Sequence, residues 1–272
     1  MNLASSLASD AAGSSSIRVR ELANKVPLVT AFFWIIKILC TTVGETAADY
    51  LNDTLGFGLS GTTLVMSVLL LVSLGIQFRV KRYIPLVYWT CVVLISVVGT
   101  LITDNLTDHL GVSLLVSTGV FSVALVAVMA IWLGVEGTIS IHSITTTRRE
   151  FFYWLTVLFT FALGTAAGDL VAERWNLGYL NSLVLFGGLI AVIAIAHLRL
   201  GLNATVAFWM AYILTRPLGA SVGDYLSQAR EDGGLGLGTT VTSMLFLAAI
   251  GALVIYLSMT RRDNEVVELE PA

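Results

Sequence analysis

The sequence predicts an all-α membrane protein in which eight transmembrane helices form four two-helix repeats. Composition is the first reason: 56% of the 272 residues are hydrophobic and 12% are charged, whereas soluble domains carry about 25% charged residues. Length is the second, because about 20 apolar residues cross a bilayer as a helix and eight segments are that long. The third is a motif that occurs four times, which indicates internal repetition.

The apolar segments divide the chain into one membrane domain and two tails. Residues 1–25 and 261–272 are predicted to be cytosolic tails, the first of them disordered, on either side of a single domain at 26–260. The spans are predicted at about 27–52, 59–79, 84–108, 112–135, 150–174, 179–200, 204–228 and 238–260. The repeats then cover about 26–83, 84–147, 148–202 and 203–260.

The repeated motif is a tryptophan, a glycine ten residues later and an aspartate five residues after that. Its four copies are Trp34-Gly44-Asp49, Trp89-Gly99-Asp104, Trp154-Gly164-Asp169 and Trp209-Gly219-Asp224. Two helices per repeat return the chain to the same side, so all four repeats share one orientation. We therefore expect pseudo-symmetry about the membrane normal. The glycines are expected to let helices approach closely, and the tryptophans to form an aromatic belt at the membrane interface.

Basic residues mark one side of the membrane. They precede the first span and cluster between spans two and three, between spans four and five, and after span eight, whereas the opposite loops are mostly acidic. Since Lys and Arg are enriched in cytosolic loops, both termini are predicted to be cytosolic and the aspartate ends of the odd-numbered helices to face outside.

Charged residues lie within these apolar segments. Lys37, Thr41, Glu45 and Asp49 are spaced four residues apart, which places them on one face of a helix. A charge at the centre of a membrane helix costs about 2.5–3.5 kcal/mol on insertion scales, so such residues usually face a protein interior or a wet cavity. The later repeats carry weaker versions of this stripe.

The stripes supply the candidate functional residues. A binding site for a small ion is predicted from residues whose side chains offer oxygen ligands: Glu45, Asp49, Asp104, Asp169, Asp224, Thr41, Thr100 and Thr165. The five carboxylates are the predicted metal ligands. Lys37 and Arg216 are expected to couple charge. Lys37 is expected to pair with a carboxylate on another helix, and Arg216 with Asp224 or with the aspartate of another repeat.

Oxygen ligands suit hard cations such as Mg²⁺, Ca²⁺ and Mn²⁺. We therefore expect a secondary transporter of a small cation, with coupling to protons left open. Two alternatives stand beside it: a structural or regulatory membrane protein that transports nothing, and a carrier of an anion or organic solute that uses Lys37 and Arg216. No enzyme motif, cofactor motif or nucleic-acid signature is recognisable, so the expected partners are the bilayer, the cation and, as an open question, further copies of the chain.

Two stretches resemble a known family. K-x3-T-x2-GE-x3-DY at Lys37–Tyr50 and R-P-x-GA-x2-GDY at Arg216–Tyr225 are similar to motifs of a bacterial family of polytopic membrane proteins. That family is built from four copies of a short repeat of unknown function and is often labelled "membrane-anchored protein". The resemblance implies eight helices and an inner-membrane location. Repeats two and three depart from it, with Asn105 and Leu170 where the other repeats have tyrosine.

Overall fold

Eight long helices and their connections make up the computed structural model, which describes residues 24–263 except for the side chain of Asp53. The helices are α1 Ala31–Asp49, α2 Gly58–Arg79, α3 Pro85–Asp104, α4 Leu114–Glu136, α5 Thr147–Asp169, α6 Tyr179–Leu200, α7 Ala204–Ser227 and α8 Thr239–Thr260. No β-strand occurs between residues 24 and 263. The all-helical prediction and its eight helices are confirmed.

Seven of these helices are long and apolar enough to cross a membrane. The exception is α7, which carries Arg216, Pro217 and Asp224 within its length. The protein is therefore a multi-pass membrane protein in its overall character.

Short polar side chains cap the N-termini of four helices. Thr30, Ser113, Thr146 and Asn203 each accept a hydrogen bond from a backbone N–H in the first turn of the helix that follows. Such caps satisfy donors that have no partner inside the helix. Pro85 opens α3, a position where its missing N–H costs nothing.

The odd-numbered helices form an inner ring. Helix α1 packs on α3, α3 on α5, α5 on α7, and α7 on α1. Each even-numbered helix packs against the inner helix that follows it, so α2 covers α3, α4 covers α5, α6 covers α7, and α8 covers α1. Burial separates the two layers: 61–67% of the span residues are buried in α1, α3 and α5, against 6–28% in the four outer helices.

Three inner helices change geometry at the same repeat position. Immediately after Asp49, Asp104 and Asp169, the chain makes one turn of π-helix, at Tyr50–Thr54, Asn105–His109 and Leu170–Arg174 respectively. Helix α7 instead ends at Ser227 without such a turn. Single π turns within α-helices occur frequently at functional sites.

Three described residues of the predicted tails lie against the helices. Asn24, Lys25 and Asp263 are all buried, so the inner ends of the predicted tails pack on the helical domain. The rest of both predicted tails, at 1–23 and 264–272, lies outside the described residues.

Candidate functional site

The repeat glycines set the spacing of the inner ring. A Cβ atom added at any of these glycines would overlap a residue of the next inner helix. In each case the overlapped residue lies three positions before the repeat glycine of its own helix. The pairs are Gly44 with Ser96, Gly99 with Phe161, Gly164 with Arg216, and Gly219 with Thr41. The predicted close approach is confirmed, and it brings corresponding levels of the four repeats together around one centre.

Arg216 forms the polar centre of this ring. Its side chain is fully buried, and its Nη2 donates to Glu45 Oε2 at 2.8 Å and also to Thr100 Oγ1. Its Nη1 donates to the backbone oxygen of Thr41 at 3.0 Å. The guanidinium on α7 thus links α1 and α3. The expected ion pair exists, but among the described residues its partner is Glu45 and not Asp224 or another repeat aspartate, because the Arg216 guanidinium lies against α1 between Thr41 and Glu45.

The repeat aspartates gather beyond this pair, at what we call the acidic end (Asp49, Asp104, Asp169 and Asp224). Asp104, Asp169 and Asp224 each have Glu45 among their charged neighbours. Asp49 is a further charged neighbour of Asp104 and Asp224. Asp104 and Asp224 are in turn charged neighbours of Asp169. The structure therefore brings the five predicted carboxylates into one electrostatic group. Asp224 is buried and the other three aspartates are half-buried.

The three predicted threonines divide between two roles. Thr41 and Thr100 belong to the Arg216 network, and the Thr41 hydroxyl also lies 3.1 Å from the backbone oxygen of Thr215 on α7. Thr165 is fully buried and donates to Phe161 O of its own helix at 3.2 Å. Thr165 therefore does not join the network in this conformation.

The described carboxylates do not form a ready-made metal site. Among the described side chains, which leave out that of Asp53, no three Asp, Glu, His or Cys residues are grouped so that they could hold a metal ion. The carboxylates share an electrostatic environment without forming a compact ligand set.

Lys37 lies deeper than Glu45 and is fully buried. Its Nζ makes no hydrogen bond to any described residue and lies 3.7 Å from the Phe161 ring centroid and 4.3 Å from that of Tyr212. The expected carboxylate partner is therefore wrong: two aromatic faces hold the amine. Such cation–π contacts contribute about 2 kcal/mol or more when desolvated.

The opposite end of the inner ring is closed by aromatic side chains, and we call it the aromatic end (Phe33, Tyr88, Trp89, Tyr153, Trp154, Phe208 and Trp209). Trp89, Trp154 and Trp209 are all buried, and ring contacts connect them across the four inner helices. The predicted interfacial belt is thus wrong for these three tryptophans. Their helices meet at this level, and the large rings fill the centre.

Sequence reasoning missed two groups at the aromatic end. Lys25 Nζ lies 2.5 Å from Glu150 Oε2, and Gln77 Nε2 donates to Glu150 Oε1 at 2.9 Å. Tyr88 and Tyr153 share a 2.5 Å hydrogen bond between their hydroxyls. A signal for the tyrosines was present, since an aromatic residue precedes the repeat tryptophan in all four repeats.

A comparison with family models agrees with this repeated architecture. The model described as Repeat of Unknown Function (DUF347) matches four times, at residues 32–83, 87–138, 152–202 and 207–263. Each match covers one inner helix and the outer helix that follows it. No curated protein and no solved structure matches the chain.

Proposed function

Starting from the fact that the chain belongs to this family of fourfold repeats of unknown function, we propose that it is a secondary transporter of a small, hard cation. The observation that carries the proposal is the acidic end, where Glu45 and four repeat aspartates share one electrostatic environment. Arg216 offsets part of this charge through its ion pair with Glu45. A cleft dominated by one sign of charge concentrates ions of the opposite sign.

The cation enters as a partly hydrated ion. The carboxylates are not grouped as a ready ligand set, and Mg²⁺ in particular binds through one or two carboxylates while keeping several waters. Asp49, Asp104, Asp169 and Asp224 attract the ion, and Glu45 is the innermost carboxylate that it reaches. The metal ligands predicted from the sequence keep this role within the proposal.

Arg216 acts as an internal substitute for the cation. In the described conformation its guanidinium neutralises Glu45 at 2.8 Å. An entering cation competes for that carboxylate, releases Arg216, and thereby loosens the links from α7 to α1 and α3. The aromatic end is closed in this conformation, so the proposed next step opens that end while the acidic end closes. Lys37 is a second buried basic residue, and it lies below the site.

The arrangement in the membrane follows from the same proposal. All eight helices span the bilayer, including α7, whose charged residues face the ring interior. The four repeats run in one direction about an axis along the membrane normal. Both termini lie in the cytosol of a bacterial inner membrane, and the acidic end faces outside.

The structural alternative has one observation in its favour: Arg216 bonds to two other inner helices at once, as a structural cross-link would. The anion alternative has less support. Arg216 is already paired with Glu45, and Lys37 is enclosed by two rings, so neither is available to an incoming anion.

Flux in proteoliposomes distinguishes these functions. We expect wild type to move at least one ion of a panel of Mg²⁺, Ca²⁺, Mn²⁺ and H⁺. Glu45→Gln and Asp49→Asn should lose that flux while thermal unfolding shows that both variants are folded in the liposomes. Glu231→Gln is the matched control, since it makes the same charge change at an exposed position after α7. No flux by wild type, or full flux by Glu45→Gln, would contradict the transporter proposal.

A further inference from the structure

Five buried polar side chains form a row at the aromatic end, from Tyr212 beside Lys37 to Asp263 just after α8. Tyr212, Tyr153 and Tyr88 are fully buried, Tyr83 is nearly so, and Asp263 is 2% exposed. Nothing in the transporter mechanism described above uses these hydroxyls.

Hydrogen bonds already form two links of this row. Tyr83 Oη donates to Asp263 Oδ2 at 2.6 Å, and the hydroxyls of Tyr88 and Tyr153 lie 2.5 Å apart. Between the two links, the Tyr83 and Tyr88 rings meet edge to face at 5.6 Å between centroids. The rings of Tyr83, Tyr88 and Tyr153 thus lie in one connected aromatic cluster, and Trp209 connects Tyr153 to Tyr212.

At its inner end, the row ends beside Lys37. Lys37 Nζ lies over the face of the Tyr212 ring, 4.3 Å from its centroid, and is not hydrogen-bonded to the Tyr212 hydroxyl. The Tyr212 hydroxyl is an electrostatic neighbour of Tyr153. The titratable groups around Lys37 are Cys40 on α1 and Tyr212 and Arg216 on α7, while α5 presents the Phe161 ring.

Several polar atoms along the row have no partner among the described residues. They are Lys37 Nζ, Tyr212 Oη, Trp89 Nε1, Trp154 Nε1 and Asp263 Oδ1. Buried polar groups in folded proteins are nearly always hydrogen-bonded to protein or to ordered water, and a buried water usually makes about three such bonds. These unpartnered atoms lie on both sides of the two existing hydrogen bonds. An internal water or a small side-chain rotation at these atoms completes the row of hydrogen bonds.

We propose that this row of tyrosine hydroxyls conducts protons between Asp263 and Lys37, so that Lys37 is the proton-binding residue that couples cation movement to proton movement. The inference rests on the proposed transport function and adds the coupled ion and its route. Its residues are separate from the acidic end.

The transfer conserves protons at each step. Asp263 takes a proton from a hydronium ion, which leaves water. The Tyr83 hydroxyl, which donates to Asp263 in this conformation, turns its own proton towards the next oxygen, releases it there and accepts the proton from Asp263. Each tyrosine in turn accepts one proton and releases one, and the last proton binds the lone pair of the Lys37 amine. Release follows the same steps in reverse. No oxidant or other co-reactant is needed.

The outer end of the row suits proton uptake. Burial raises the pKa of Asp263 above its ordinary value, partly offset by the hydrogen bond from Tyr83. Burial, with the neighbouring Asp263 carboxyl, also raises the pKa of Tyr83, which therefore keeps its hydroxyl proton at neutral pH. A carboxyl that holds a proton nearer to neutral pH can exchange it at the cytosolic side.

Paired flux measurements test the route. In proteoliposomes with an internal pH dye, we expect wild type to move the cation together with a measurable proton current. Tyr153→Phe keeps the ring but removes the hydroxyl at the centre of the row. We expect it to lose at least nine-tenths of the proton current per cation moved, with cation binding at the acidic end unchanged. Tyr256→Phe, whose ring packs on Phe32 away from the row, is the matched control.

Each outcome has a separate meaning. If Tyr153→Phe and Tyr88→Phe retain the wild-type ratio of protons to cations, the tyrosine route is overturned while cation transport stands. If wild type moves the cation without protons, proton coupling is overturned. If wild type moves no cation at all, both the transport function and the coupling that rests on it fail. Thermal unfolding of each variant shows whether lost proton current reflects lost folding.

Discussion

Replacing Glu45 by glutamine tests whether charge or hydrogen bonding holds the centre of the ring together. Glutamine keeps the size of the side chain and can still accept a hydrogen bond from Arg216. It leaves the guanidinium, which is 0% exposed, without the counter-charge that lies 2.8 Å away in wild type. The substitution therefore removes the ion pair and retains most of the packing.

The two explanations predict different magnitudes. Hydrogen bonds between membrane helices contribute about 0.6 kcal/mol on average, whereas removing one partner of a buried ion pair costs about 3–5 kcal/mol. Asp104 and Asp224 are also charged neighbours of Arg216 and offset part of the loss. We therefore expect Glu45→Gln to lower the free energy of unfolding by about 3 kcal/mol, near the lower end of that range.

The protein contains its own probe for this measurement. Both cysteines, Cys40 and Cys91, are free and buried, so a thiol-reactive dye reports unfolding when they become accessible. A loss below about 1 kcal/mol, the size of one or two membrane hydrogen bonds, would refute the reasoning from buried charge. The double variant Glu45→Leu with Arg216→Met provides a second test. It removes both charges and should recover most of the stability, whereas a loss as large as the sum of the single variants would contradict that account.

Two further predictions use the same unfolding assay. Gly219→Ala places a Cβ against the neighbouring inner helix and should lower the free energy of unfolding by about 1–3 kcal/mol. Gly119→Ala, where nothing lies within 4 Å, should leave the stability unchanged or raise it by up to about 1 kcal/mol. Equal effects at both sites would contradict the close-packing argument. Lys25→Met leaves Glu150 buried without its cation and should lower the free energy of unfolding by about 3–5 kcal/mol. Adding Glu150→Gln should restore part of that stability. A Lys25→Met protein as stable as wild type would show that this ion pair contributes nothing.

Hydropathy and repetition predicted much of the fold. Helix lengths and positions follow from apolar segments of bilayer length, and the repeat glycines correctly predicted where inner helices touch. The same repeat aligned the four aspartates, which the structure places at one end. These features depend on local composition and on a period, and both are visible along a single chain.

The partners of individual charges were harder to predict. Arg216 could meet any carboxylate near its level, and the choice of Glu45 depends on how the inner helices are ordered and aligned. Lys37 was expected to need an anion, but its position between Phe161 and Tyr212 requires knowing which rings two other helices present. The tryptophans were misinterpreted for a similar reason, because sequence position does not distinguish a ring at the lipid boundary from one in the bundle centre.

The offset between the two layers has a consequence for how the protein is made. Helix α1 is covered by α8, which is synthesised about 200 residues later, and Ser243 of α8 donates to Thr46 of α1 at 2.8 Å. Helix α1 therefore has a polar residue uncovered until α8 has been inserted. During synthesis lipid, or an insertion factor with a polar groove, must shield that face of α1. Full coverage of α1, and with it resistance to membrane proteases at this helix, should accordingly appear only after α8 has entered the bilayer.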